Sequence, residues 1–137
     1  MAAKLATDAA WRRGRLRDLV AAREVVIELE GKLARGLAAR GVDREELFAD
    51  EAAVRSAISA MPSFDVEVSM KASYHRDPAH RWKTNDVYDI DALASTLPYC
   101  DIVVPDKAVA SHAERTGLAN RLGATVLGRL DDAIGLL

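Results

Sequence analysis

Asn85 to His112 reads NDVYDIDALASTLPYCDIVVPDKAVASH, and its centre is the short β-branched run Ile102-Val103-Val104, closed by Pro105. A run of this kind bounded by a proline predicts a buried strand over 102–104. Before it, Thr84 or Asn85 caps a helix whose first turn is acidic, as the helix dipole favours, and whose apolar side is Val87, Ile90, Leu93, Ala94 and Leu97. Pro98 ends that helix. After it, KAVASHAERTG predicts a helix closed by Gly117, and GATVL supplies a second β-branched run over 124–127 before the helical GRLDDAIGLL. About 20 residues separate the two runs, the spacing of a right-handed parallel crossover through a helix. The C-terminal third is therefore expected to be α/β, with a short parallel sheet and a crossover helix.

The same stretch is crowded with carboxylates: Asp86, Asp89, Asp91, Asp101 and Asp106. In a parallel sheet, ligands gather where strands end and loops leave for the next helix, and Asp106 stands there. Asp86 and Asp89 are three residues apart and share a helix face. Carboxylates brought within a few Å of one another repel unless a hard divalent cation, Mg²⁺ or Mn²⁺, lies between them. The competing reading is local: Asp86 and Asp89 compensate the helix dipole, Asp106 caps the following helix, and Asp101 is a solvated turn residue.

Upstream the chain reads as helix. Leu16, Leu19, Val20, Val26, Ile27, Leu33 and Leu37 form one stripe at helical spacing, Asp43 with Glu46 marks a new helix start after Gly41, and a further helix runs over 51–60. Met61-Pro62 breaks the pattern. Phe64, Val66, Val68 and Met70 then alternate, which fits a short strand or a helix continuing through KASYH, with helix the favoured reading. The polar segment YHRDPAHRWKTN predicts a long loop in which Arg76, His80, Arg81, Trp82 and Lys83 mix cations with an aromatic ring. That mixture suits a single-stranded RNA backbone with a base stacked on Trp82, and suits equally a polar loop anchored by a buried tryptophan. The first 60 residues are thus mainly helical and 84–137 form the acidic half of one domain spanning 1–137.

With 137 residues, half of them hydrophobic, and a net charge of −2, the chain has the size of one domain and carries no overall basic field that would recruit nucleic acid. Charge is segregated instead: Lys4, Arg12, Arg13, Arg15, Arg17 and Arg23 face only Asp8 and Asp18, whereas 86–106 is acidic. The single Cys100 excludes an internal disulfide framework and is expected as a buried, inert thiol. The three histidines, His75, His80 and His112, match no common zinc spacing. Nothing approaches the ~18 apolar residues of a membrane span, and the expected location is cytoplasmic.

The pattern "ND..DI..L...LPYCDIVVPD" resembles the C-terminal half of PIN-like nuclease domains, over about Thr84 to Leu137. The resemblance implies that Asp106 is the acid ending a strand, that Asp89 or Asp86 is the acid opening the preceding helix, and that Glu28 in VVIELEGKL is a metal-facing glutamate. It further implies a Mg²⁺- or Mn²⁺-dependent ribonuclease acting through a metal-activated water. Two departures stand out. The family's first strand, with its aspartate, has no counterpart before the opening helix, and Pro105 replaces a polar residue. The chain is then a shortened relative whose open strand edge is covered by another copy or a partner, or a domain with an incomplete site. The alternative is a non-catalytic protein that self-associates through its N-terminal helix and that edge.

Overall fold

The computed structural model describes residues 14–43, 45 and 49–136. The element order is α1 (Leu16–Glu24), a π-helical turn (Val25–Leu29), α2 (Glu30–Ala38), α3 (Glu51–Ser59), α4 (Pro62–Arg76), α5 (Thr84–Thr96), β1 (Ile102–Val103), α6 (Lys107–Thr116), α7 (Leu118–Leu122), β2 (Thr125–Val126) and α8 (Leu130–Ile134). The protein is mostly helical with a two-stranded parallel sheet.

The architecture turns on α4. Pro62 opens it, where a missing N–H costs nothing. Residues four apart share a face, whereas residues two apart lie on nearly opposite faces. Phe64, Val68 and Ala72 accordingly pack on Leu16, Val20 and Ala21 of α1 and Ile58 of α3. Val66, Met70 and Tyr74 pack on Ile90 and Leu93 of α5, on Leu97 at its C-cap, and on Val109 and Ala113 of α6. The alternation in the sequence is that of a helix buried on two sides. Between these faces runs a buried polar stripe, Asp65, Ser69 and Ser73. Among the described residues no buried side-chain nitrogen or oxygen lacks a hydrogen-bond partner.

The long N-terminal stripe is interrupted. A π-helical turn takes in one more residue than an α-turn, so the face presented to the core shifts. Val25 and Leu29 pack against the α1–α4 cluster, whereas Val26 and Ile27, expected on the core side, are 63% and 61% exposed. Glu24, just before the turn, is 2% exposed and bound by Arg23 at 3.0 Å and Lys71 at 2.8 Å, which ties the end of α1 to α4. Glu28 falls within the turn, but its side chain lies outside those described, as do Lys4, Asp8, Arg12, Arg13 and Glu46. Asp43 Oδ1 accepts from the Glu45 amide at 2.9 Å.

β1 and β2 pair in parallel with Ile102 opposite Thr125 and Val103 opposite Val126; the Thr125 amide donates to the Asp101 carbonyl at 2.8 Å and the Leu127 amide to the Val103 carbonyl at 3.0 Å. Both strands are shorter than the apolar runs that predict them. Ile102 and Val104 are more than one-third exposed, because only β2 flanks β1 among the described residues; Val103 alone packs against the core. Cys100 is exposed, not buried, since it lies in the irregular link between the turn at 97–99 and this short strand. Val87 is also exposed, as the core-facing stripe of α5 begins only at Ile90. Among the described residues no helix is long and apolar enough to cross a membrane.

Candidate functional site

Asp106 is the N-cap of α6: its extended backbone ends the strand segment, and its Oδ1 accepts from the Val109 amide at 2.9 Å. One carboxylate oxygen is thereby held and the other has no partner among the described residues. Asp89 lies one turn into α5, half-buried, and forms no hydrogen bond or ion pair with a described residue. Both acids line one cleft of about 240 Å³ between α5 and the turn from β1 into α6. Its apolar floor includes Leu93, Val103 and Val109. The helix start and the strand end thus meet at the carboxyl edge of β1.

Asp86 is turned to a different task. Its Oδ2 accepts from the Lys83 amide at 2.7 Å and meets His80 Nε2 at 2.9 Å, so it closes the loop of residues 77–83 onto the first turn of α5. Lys83, not Thr84 or Asn85, is the N-cap, and Asp86 supplies the side-chain acceptor from inside the helix. Burial pushes the Asp86 carboxyl up, but the Lys83 amide and His80 overcome this and hold it below the usual carboxylate range. All three acids still act on one group. The Tyr74 phenol is pushed up to about 12, by burial first and then by the negative fields of Asp86, Asp106 and Asp89.

Tyr74 is the centre of a ring cluster that spacing rules for metal ligands do not reveal. His112 stacks on it with centroids 3.9 Å apart, His80 meets it edge-on at 4.5 Å, and Trp82 lies 5.6 Å away. His112 Nδ1 shares a hydrogen bond of 2.8 Å with Ser73 Oγ, and burial, then Arg115 and His80, lower its proton affinity. The recurrence of Tyr, His and Trp around the 77–83 loop was the available sequence signal, but His112 comes from a distant helix and only the packing of α6 on α4 brings it in. Trp82 is 41% exposed, so the reading of a buried anchor is corrected: it covers the cluster with one side open, beside His75 at 4.9 Å. Arg76, Arg81 and Lys83 are exposed around it.

Among the described residues no group of three or more His, Cys, Asp or Glu side chains is placed to hold a metal ion together. Asp89 and Asp106 are the two acids that line the same cleft, with Asp86 engaged elsewhere. Such a pair fits Mg²⁺, which keeps several waters and is commonly bound through one or two carboxylates plus substrate phosphate. It does not form an all-protein cage. No protein-family model matches the chain, and no curated protein and no solved structure matches it.

Proposed function

We propose that the chain is a PIN-like α/β domain, or a shortened relative of one, that hydrolyses RNA phosphodiester bonds with Mg²⁺ or Mn²⁺ held by Asp89 and Asp106. The observation that carries this reading is the shared cleft: two carboxylates from different elements, each with an oxygen that no described residue engages, open at the carboxyl edge of a parallel strand. A bound cation would polarise a phosphoryl oxygen and make its water a better nucleophile. The protein's part is to position. Asp106 is fixed by its own capping bond, Asp86 anchors the loop that carries Arg81, Trp82 and Lys83, and these with Arg76 offer cations to the phosphates and one open ring face to a base.

The test uses Asp106→Asn. Asparagine is as good an N-cap as aspartate, so α6 keeps its start while the cleft loses a charge. Mn²⁺ is expected to raise the melting temperature of the unmodified protein and to support cleavage of a fluorescent single-stranded RNA, and both effects should vanish in Asp106→Asn. An unmodified protein whose melting is indifferent to Mn²⁺ would remove the nuclease reading.

A second reading rests on a different observation. Tyr99, Ile102 and Val104 are exposed beside an edge of β1 that no described strand covers. An open apolar edge is a template for pairing with another chain. Self-association there predicts a melting temperature that rises with protein concentration and ignores divalent ions.

A further inference from the structure

Asp65, in the first turn of α4, is met by two arginines from different helices. Arg17 of α1 pairs its Nη2 with Oδ1, and Arg121 of α7 brings its Nη2 to Oδ2 at 2.9 Å. Ser69 Oγ donates to Oδ1 at 3.4 Å and receives Arg121 Nη2 at 3.3 Å, while Arg121 Nη1 donates to the Thr116 carbonyl at 2.8 Å. The carboxylate is buried and both of its oxygens are satisfied. One arginine would have neutralised it.

The second leaves a surplus positive charge that no neighbouring ion among the described residues cancels. Arg55 and Asp18 pair with each other at 3.2 Å, and Lys71 is held by Glu24 and Glu67 farther along α4. Each guanidinium carries five N–H donors in a planar fork. Arg17 commits only Nη2 to described residues, so toward these most of its donors are unspent. Both side chains keep access to water, 31% exposed for Arg17 and 46% for Arg121. With Asp65, Ser59 and Leu122 they line an open cleft of about 410 Å³, which shares no lining residue with the Asp89–Asp106 cleft.

We propose that this second cleft is a binding site for a phosphoryl group, with Arg17 and Arg121 as two forks set at a fixed separation by Asp65. A tetrahedral phosphate has enough acceptor oxygens and charge to engage both forks, whereas a single carboxylate offers two oxygens in one plane. Asp65 acts as the spacer: it draws the guanidinium groups together before the ligand arrives, and the ligand meets the charge that it leaves unbalanced. The Ser59 hydroxyl at the rim supplies a further donor.

Inorganic pyrophosphate is the probe, added in the presence of a chelator so that the acidic cleft has no influence. Calorimetric titration and thermal melting, compared with sodium chloride at equal ionic strength, should give saturable binding and a saturable rise in melting temperature. Arg121→Lys keeps the charge and loses the fork, and should weaken binding about tenfold. Arg17→Gln should weaken it similarly, which covers the case in which an Arg121 variant folds poorly. Asp106→Asn should bind as the unmodified protein does, so this site and the proposed nuclease site stand or fall separately. No effect beyond matched chloride, or equal binding by the unmodified protein, Arg121→Lys and Arg17→Gln, would overturn the proposal.

Discussion

His112 is buried between the Tyr74 ring and Ser73 Oγ, and its imidazole resists protonation: burial, then Arg115 and His80, place its proton affinity below the ordinary 6.5. His75 is shifted the same way. The unfolded chain therefore takes up protons near pH 6.5 that the folded chain refuses, and stability must fall as pH drops through that region. Replacing His112 by Gln keeps a partner for Ser73 and removes the titration. The expected result is a flatter dependence of the urea midpoint on pH between roughly 5 and 7. Tyr74 governs the opposite end of the range. Its phenol, pushed up from 10.0 to about 12, stays protonated in the fold after the unfolded chain has ionised, so its contribution is complete below pH 10 and is lost on going toward 12. Ultraviolet absorbance should show a late tyrosinate step near the upper value, and Tyr74→Phe should abolish it. Lys71, raised by its pairs with Glu24 and Glu67 against the effect of burial, loses stability in the same direction, and the Phe variant separates the two. The acids around Asp106 were legible in the sequence because carboxylates beside an apolar strand stand out. The rings around Tyr74 were not, since no local spacing encodes the approach of residue 112 to residue 74.

α4 shows why a helix can be hard to read. Period-two alternation normally marks a strand with one wet face, but in α4 it records two apolar rows on opposite sides with a buried polar row between them. The sequence signals that hold are those fixed by a single residue. Asp106 caps α6, Gly117 closes it in the left-handed region at φ 67°, and Met61-Pro62 breaks the pattern between α3 and α4. The expected N-cap of α5, Thr84 or Asn85, was one or two residues off because Asp86 reaches back to the Lys83 amide from within the helix. The N-terminal stripe failed at Val26 because periodicity assumes an α-turn where the chain makes a π-turn. Met70, fully buried in the α4–α5–α6 cluster, is the element's most informative test. Met70→Ala should destabilise by about 2–5 kcal/mol through lost burial and the cavity left behind, measured by urea unfolding. A strand on the surface would tolerate that change.

The sequence divides into a helical front and an acidic α/β back, and the joint between them is the segment that it left ambiguous. In the structure that joint is α4, and the two apolar clusters lie on its two sides: Leu16, Val20 and Ile58 on one, Ile90, Leu93 and Val109 on the other. Neither cluster can persist once α4 unwinds, because each loses one wall. The polar stripe adds to the coupling, since Asp65 binds Arg17 from the front and Arg121 from the back through a single carboxylate. The two halves should therefore unfold together despite their different character. In a Trp11→Phe background, Trp82 fluorescence reports the back half and far-ultraviolet circular dichroism reports all helices. Leu16→Ala, in the front cluster, and Leu93→Ala, in the back, are each expected to cost about 2–5 kcal/mol. Either substitution should move one common transition in both signals, with coincident midpoints. If Leu16→Ala shifted the dichroism and left the Trp82 midpoint in place, the clusters would be independent and α4 would not be the element that makes them one domain.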